Sequence, residues 1–413
     1  MGHGRVIVVG AGHASAQLCL SLRRGGFDGE IVLVGDEPSL PYQRPPLSKT
    51  FLHGTTTLDD LLIRKPEFYE KEDVGFRHAR VTGIDRENNT VELDDGERLA
   101  YDHLVLCTGA RPRPLDVPGD DLDGVHALRD AADIEAIRGT LRTAGRAVIV
   151  GAGYIGLEAA ASLRKLEVEV TVLEVAARVL QRVTAPEVSA FYDRVHREEG
   201  VDLRTGVGVA GFQGDGHVRA VRLTDGTEIP ADLVIVGVGV LPNVELARDA
   251  GIEVQDGIVV DEHGRTDDPR VFAAGDCANH FDARYGTRMR LECVANANEH
   301  AKAIAGAICG NEKPISALPW FWSDQYDLKL QIAGLSTGHD QIVLRGDPAD
   351  GRSFACFYLA DGRLIAADCV NRPKEFMFSK RAITEGLHPD PAHLTDPDIQ
   401  LASLLSAPTA TAR

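Results

Sequence analysis

The chain has 413 residues, 44% hydrophobic and 26% charged, with a net charge of −18. That length exceeds a single compact core and predicts two or three domains. The acidic surplus excludes a general nucleic-acid binder, which needs a basic face, and no apolar run approaches the roughly 20 residues of a bilayer crossing.

In chain order, Met1-Gly2-His3-Gly4 leaves no room for a signal peptide, and Val6 stands where a myristoylation motif wants Ser or Thr. An unmodified start in a cytoplasmic protein is expected. A strand at residues 6–9 runs into Gly10-Ala11-Gly12-His13-Ala14-Ser15, a helix to about residue 24, and a second strand at 31–34 closed by Gly35 and Asp36. The apolar run Leu104-Val105-Leu106-Cys107 ends in a Thr108-Gly109 turn. A strand at 147–150 then enters Gly151-Ala152-Gly153-Tyr154-Ile155-Gly156, followed by a helix, a strand at 170–173, and Glu174. Residues 266–276 end a strand with Gly275-Asp276. Asn296, with Glu299 three residues on, predicts a helix start. Ala301, Ile304, Ala305 and Ile308 follow at helical spacing, and Gly310 is the stop. Short strands are expected at 341–344, 354–358 and 364–367. The Ala/Thr/Ser-rich stretch from Ser403 to Arg413 is expected to be loose.

One unit therefore occurs twice: strand, glycine turn, helix, strand, acid. The first glycine permits the tight turn, and the second lets backbone approach a pyrophosphate. The third lets helix and strand pack closely, with the helix N-terminus facing the negative charge. The acid after the second strand accepts hydrogen bonds from a ribose 2′-OH. Ser15 replaces the third glycine of the first copy, which predicts a helix slightly off its strand. Glu174 favours NADH over NADPH because a carboxylate repels a 2′-phosphate, while nearby Arg178 works against that preference.

These segments resemble the two-dinucleotide flavoproteins of the glutathione-reductase-like class. Four stretches narrow the resemblance, over residues 6 to about 387. They are Pro41-Tyr42-Gln43-Arg44-Pro45-Pro46-Leu47-Ser48-Lys49, Val183-Thr184-Ala185-Pro186, Pro319-Trp320-Phe321-Trp322-Ser323-Asp324-Gln325-Tyr326 and Val370-Asn371-Arg372-Pro373. They are similar to the NADH-dependent ferredoxin reductases of oxygenase systems, the putidaredoxin-reductase-like class. The resemblance implies an α/β fold with two Rossmann-like dinucleotide-binding domains and an α+β C-terminal domain. The expected boundaries are 1–110 with 240–315 for FAD, 111–239 for NAD, and 316–413 for the C-terminal domain.

It also implies roles for single residues. Gly10, Gly12, Ala14, Asp36, Arg44, Lys49, Val81, Arg129, Asp276, Val294 and Trp320 would line FAD, with Asp276 on the ribityl chain. Gly151, Gly153, Ile155, Gly156 and Glu174 would hold NAD. Lys49 would sit beside the flavin's reactive nitrogen, paired with Glu158; both are catalytic only loosely, since hydride transfer needs no acid or base. The helix from Asn296 would aim its positive end at the flavin pyrimidine ring. Arg64 and Lys302 match positions that face a redoxin, and Lys65, Lys329, Arg372 and Lys374 are further cations for docking.

The cysteines stand at 19, 107, 277, 293, 309, 356 and 369, with no C-x-x-C pair. Such a set predicts reduced thiols and no metal site. Residues 36–55, where disulfide reductases of this fold carry their cysteines, have none. Electrons must then leave the flavin directly, to a protein, a quinone or oxygen. The resemblance implies a [2Fe–2S] ferredoxin feeding a haem-thiolate monooxygenase, from a monomer or weak dimer. A rubredoxin reductase and an NADH-sensing flavoprotein of the apoptosis-inducing-factor type are the alternatives.

Overall fold

The computed structural model describes residues 4–406. Of the stretch expected to be loose, residues 403–406 close the short 3₁₀ helix Leu401–Ser406; residues 407–413, like the Met1-Gly2-His3 start, lie outside the described residues. The chain divides into two compact units. The first comprises residues up to Arg44, Thr56–Arg111 and Val240–Ala317; the second comprises Pro45–Thr55, Pro112–Gly239 and the chain from Leu318 onward.

The first unit is built on a parallel sheet ordered Val271–Ala273, His103–Leu106, Arg5–Val9, Glu30–Gly35, Val74–His78. Runs such as Val6-Ile7-Val8-Val9 are buried on both faces, Val6 and Val8 under helices and Ile7 and Val9 against Val81, Val91, Leu93 and Leu99 of a small antiparallel sheet. The helices His13–Arg24 and Val294–Ile308 pack together with the parallel sheet in one apolar cluster through Leu18, Leu22, Ala301 and Ile304. The second of these begins at Val294, capped by Cys293, so Asn296 lies in its first turn rather than at its cap. Its side chain instead donates to the Leu291 carbonyl at 3.1 Å. Strand order reverses beside Arg5–Val9, and the glycine turn leaves from that point, where open α/β sheets bind ligands.

The second unit repeats the plan, in the parallel order Asp202–Thr205, Glu169–Glu174, Arg146–Val150, Leu233–Val236, Val125–Ala127. It adds an antiparallel five-stranded sheet ordered Trp320–Gln325, Leu328–Gly334, Arg363–Val370, Phe354–Ala360, Gln341–Arg345, backed by the helix Pro373–Glu385. Side-chain bonds join this sheet to the rest of the unit. The Tyr358 hydroxyl accepts from the Ala185 N–H at 3.0 Å, and Ser323 donates to Glu158 at 2.7 Å. Residues 45–55, expected with the first dinucleotide domain, fall in the second unit for a similar reason. Ser48 and Lys49 both bond Glu158, and Ser162 Oγ donates to the Ser48 carbonyl at 2.5 Å. Among the described residues no helix is long and apolar enough to cross a membrane.

Candidate functional site

The two glycine turns share a backbone conformation that only glycine adopts freely. Gly10 has φ +102° and Gly151 φ +107°; a Cβ would stand 2.2 Å from the Cys107 carbonyl oxygen in one and 2.3 Å from the Gly237 carbonyl oxygen in the other. The middle glycines differ in kind: a Cβ on Gly12 or Gly153 would meet nothing within 4 Å. Both turns are thus open on the side where a ligand's pyrophosphate would lie. Neither following helix, His13–Arg24 or Tyr154–Lys165, carries an acid in its first turn, which leaves its positive end to an external anion. The residues present fit two dinucleotides, one on each unit.

Within the first unit, Gly10, Gly12 and Ala14 form the turn and helix start. Gly275 packs on them, its Cβ position 3.5 Å from that of Ala14 and 3.6 Å from that of Ala297. This brings the Gly275-Asp276 turn and the start of the Val294 helix to the first glycine turn. The Arg290 guanidinium donates to the Asp276 carbonyl at 3.3 Å. Asp36 is exposed, 3.4 Å from Arg80, and Val81 is buried at the start of the strand Val81–Asp85. Arg44 pairs with Glu37 and lies over the Tyr42 ring, 4.4 Å from its centroid. Arg64, half-buried, bonds the Ile63 carbonyl at 3.1 Å; Lys302 is exposed and pairs with Glu299 at 2.6 Å.

Lys49, Arg129 and Trp320, expected at FAD, lie in the second unit by its contacts. There, Gly151, Gly153, Ile155 and Gly156 make the turn and helix start. A Cβ on Gly156 would lie 2.0 Å from the Gly151 carbonyl oxygen, so helix and turn are as close as the third glycine allows. Glu174 accepts from the Ala152 N–H at 2.7 Å and the Ala176 N–H at 2.8 Å. Arg178 is turned to its own chain, donating to the Thr184 carbonyl at 2.8 Å, the Gln181 carbonyl at 3.0 Å and Ser189 Oγ at 2.5 Å. Arg129 precedes the helix Ala131–Leu141, its N–H bonded to Asp133 at 2.7 Å. Trp320 stacks on Trp322 at 5.4 Å between ring centroids, and the Lys380 ammonium lies over the Trp320 ring, 5.1 Å from its centroid.

Lys49 sits where two short turns meet, and its non-helical backbone (φ −128°, ψ −109°) breaks the segment Leu47–Phe51. Its ammonium donates to Glu158 Oε2 at 2.5 Å and to the Pro45 carbonyl at 3.2 Å. Glu158 is only 4% exposed, and a carboxylate that deep needs both an opposite charge and hydrogen bonds. Ser48 Oγ supplies one at 2.6 Å on Oε2, and Ser323 Oγ another at 2.7 Å on Oε1. Neither serine was singled out from sequence: Ser48 lies inside the proline-rich motif, but nothing local marks Ser323. In the first unit His300 is a similar omission, its Nδ1 accepting from the Gly275 N–H at 3.3 Å.

Comparison with known proteins gives one consistent result. Residues 4–301 match the pyridine nucleotide-disulphide oxidoreductase family, and residues 320–405 match the reductase C-terminal family. The chain is similar to putidaredoxin reductase CamA of Pseudomonas putida, 46% identical over 409 residues and 97% of each chain. It is also similar to the crystal structure of the ferredoxin reductase for the CYP199A2 system from Rhodopseudomonas palustris, with TM-score 0.95 and 41% identity over 97% of this chain and 100% of that one. The putidaredoxin reductase of a covalent putidaredoxin reductase–putidaredoxin complex gives TM-score 0.95 and 45% identity, over 98% of this chain and 99% of that one.

Proposed function

The chain belongs to the pyridine nucleotide-disulphide oxidoreductase family, and from that premise we propose that it oxidises NADH and hands single electrons to a [2Fe–2S] ferredoxin serving a haem-thiolate monooxygenase. It is an FAD-dependent ferredoxin reductase, an oxidoreductase using FAD and NAD(H), and a ferredoxin is its partner. The balance is one NADH and two oxidised ferredoxins giving NAD⁺, two reduced ferredoxins and one proton. Bound FAD supplies the conversion of an electron pair, received as hydride, into two single electrons.

The protein's part is to bind, orient and set charge. Gly10, Gly12 and Ala14 leave the first turn open to the FAD pyrophosphate, with Asp36 for its ribose and Asp276 for its ribityl chain. Arg44, Val81, Arg129, Val294 and Trp320 complete the proposed lining. Gly151, Gly153, Ile155 and Gly156 receive the NADH pyrophosphate, and Glu174 its adenosine ribose. Two backbone donors hold the Glu174 carboxylate in place, and Arg178 is engaged by two carbonyls and a hydroxyl, which favours NADH over NADPH. Lys49, paired with Glu158, is the cation for the flavin's reactive nitrogen. Arg64 and Lys302 are proposed to meet the ferredoxin. We place the enzyme in the cytoplasm, as a monomer or weak dimer; the seven free cysteines support a reducing compartment.

The observation that carries this reading is the pair of open glycine cradles in one chain. Stopped-flow mixing of the flavin-loaded protein with NADH, then NADPH, with and without a [2Fe–2S] ferredoxin, tests it. Fast bleaching by NADH and reoxidation on adding the ferredoxin is expected. Equal reduction by NADPH would sink the role of Glu174, and a long-lived bleached species indifferent to ferredoxin would favour the sensing flavoprotein. Sedimentation of the loaded enzyme checks the oligomeric state.

A further inference from the structure

From Ser323 the second unit continues, beyond Glu158, in a row of buried polar side chains that take no part in hydride or electron transfer. Gln325 Nε2 donates to Ser323 Oγ at 3.1 Å. His196 Nε2 lies 2.8 Å from Gln325 Oε1, and the Tyr326 hydroxyl lies 3.1 Å from His196 Nδ1. Ser323 and His196 are fully buried and Gln325 is 1% exposed, while Tyr326 reaches the half-exposed layer. Thus Ser323 and Gln325 on one strand, His196 on the helix Pro186–Glu198 and Tyr326 at the following turn form a continuous row that ends on the partner of Lys49.

One placement of protons follows from these contacts. Gln325 turns its oxygen to His196, so His196 Nε2 carries the proton and Nδ1 accepts from Tyr326. The Gln325 amide nitrogen donates to Ser323, and the single Ser323 proton is left for Glu158 Oε1. Every donor points toward Glu158. Burial holds the His196 imidazole's pKa down at about 4, so it stays neutral and keeps this tautomer near neutral pH. An amide in the middle of the row does not pass protons on readily, so the row orients and polarises rather than conducts.

We infer that His196, Gln325 and Ser323 are positioning residues that keep Glu158 ionised and thereby keep Lys49 charged. The inference rests on the reading of Lys49 as the cation beside the flavin. In a buried site an ion pair competes with its neutral form, in which the ammonium proton has moved to the carboxylate. Donors to the carboxylate tip that balance toward the charged pair. Removing the Ser323 hydroxyl leaves Glu158 Oε1 without that donor, with Ser48 still on Oε2, and weakens the preference for the charged pair. A flavin whose reduction adds negative charge is then less well matched by its cation.

The test compares four variants of the full-length, flavin-loaded protein: Lys49→Met, Ser323→Ala, Ser323→Thr and Gln325→Glu. The first readout is the midpoint potential of the bound flavin by anaerobic titration at neutral pH. The second needs no flavin: the rate at which an amine-reactive ester labels Lys49 in flavin-stripped protein, read by peptide mass. Ser323→Ala is expected to shift the reduction equilibrium about tenfold against the reduced form, roughly 30 mV for a two-electron couple, and to speed Lys49 labelling about tenfold. Ser323→Thr, which keeps the hydroxyl, restores both. Gln325→Glu accepts from Ser323 and so turns its proton away from Glu158; its shift is at least as large as that of Ser323→Ala, and it stands in if the alanine variant folds poorly. A Lys49→Met shift with Ser323→Ala and Gln325→Glu both within twofold of the parent would overturn the inference. If Lys49→Met leaves the potential unmoved, the reading of Lys49 itself falls, and the labelling rates alone decide whether the row sets its charge.

Discussion

In the second glycine turn a Cβ at Gly156 would stand 2.0 Å from the Gly151 carbonyl oxygen, whereas the matching position of the first turn holds Ser15, fully buried. The Ser15 hydroxyl donates to the Gly12 carbonyl and accepts from the Gly12 N–H, both at 2.9 Å. The third glycine is therefore one solution to packing helix on turn, and a small side chain that bonds the turn itself is another. The acids contrast as well. Asp36 is exposed, its carboxylate 3.4 Å from Arg80, while Glu174 is half-buried with a backbone donor on each oxygen. The first turn is braced from inside its own helix, the second from the acid of the next strand.

Adding the methyl that the second turn excludes gives the largest expected effect. Gly156→Ala places a Cβ against backbone that cannot swing away, at a cost of about 2–3 kcal/mol. NADH reduction should lose about 100-fold in kcat/KM, at 1.4 kcal/mol per tenfold, while flavin content is kept. Ser15→Gly, the reverse exchange, should change NADH kinetics less than twofold. Stopped-flow traces and flavin-to-protein ratios check both, and a mild Gly156→Ala would break the comparison.

The units also differ in their buried titratable groups. In the first, desolvation lowers the His300 pKa to about 3, with His280 adding to the effect. Folded His300 is neutral while the unfolded chain takes a proton below 6.5, so its contribution to stability is present above 6.5 and is lost as pH falls toward 3. In the second, desolvation raises the Asp368 pKa to about 7 against the opposing hydrogen bond from Tyr358. Folded Asp368 keeps a proton that the unfolded chain releases near 3.8, so its contribution is full below that value and is lost as pH rises through 7. Each slope is at most one proton, about 1.4 kcal/mol per pH unit. Melting curves across pH should lose the acid-side slope in His300→Gln and the slope between pH 4 and 7 in Asp368→Asn; unchanged curves would refute the assignment.

A smaller change separates the acids. Glu174→Ala should lower kcat/KM for NADH about tenfold, through loss of the ribose acceptor and of the brace on Ala152. NADPH should gain no more than a few-fold, because Arg178 is already spent on Thr184, Gln181 and Ser189. A large NADPH gain would mean that Arg178 leaves those partners readily.

Both turns were legible in the sequence because a glycine turn between an apolar strand and a helix is a local pattern, and so were the strand acids. The start of the helix at Val294 was misplaced because Asn296, a good capping residue, spends its side chain on Leu291, which local spacing does not reveal. Ser323, Gln325 and His196 were invisible for a related reason. Each is an ordinary polar residue whose role depends on a partner more than a hundred positions away, except for the Gln325–Ser323 link. The assignment of residues 45–55 to the second unit rests on the same long-range bonds to Glu158 and Ser162.

The smallest effect should come from Ser15→Ala, where two terms oppose each other. The variant keeps the Cβ that the first turn already accommodates and removes only the hydroxyl, a loss of about 1 kcal/mol of local bonding. It also frees the Gly12 N–H, at the start of the helix, from its Ser15 acceptor, so that this donor becomes available to the FAD pyrophosphate. The turn becomes less rigid but more receptive to the anion, and the FAD dissociation constant should move less than about fivefold. Titration of FAD into flavin-stripped protein, followed by quenching of flavin fluorescence, measures it. A much weaker constant would mean that the hydroxyl brace, rather than the open glycine, is what prepares the first turn, and that the two turns differ more in mechanism than in shape.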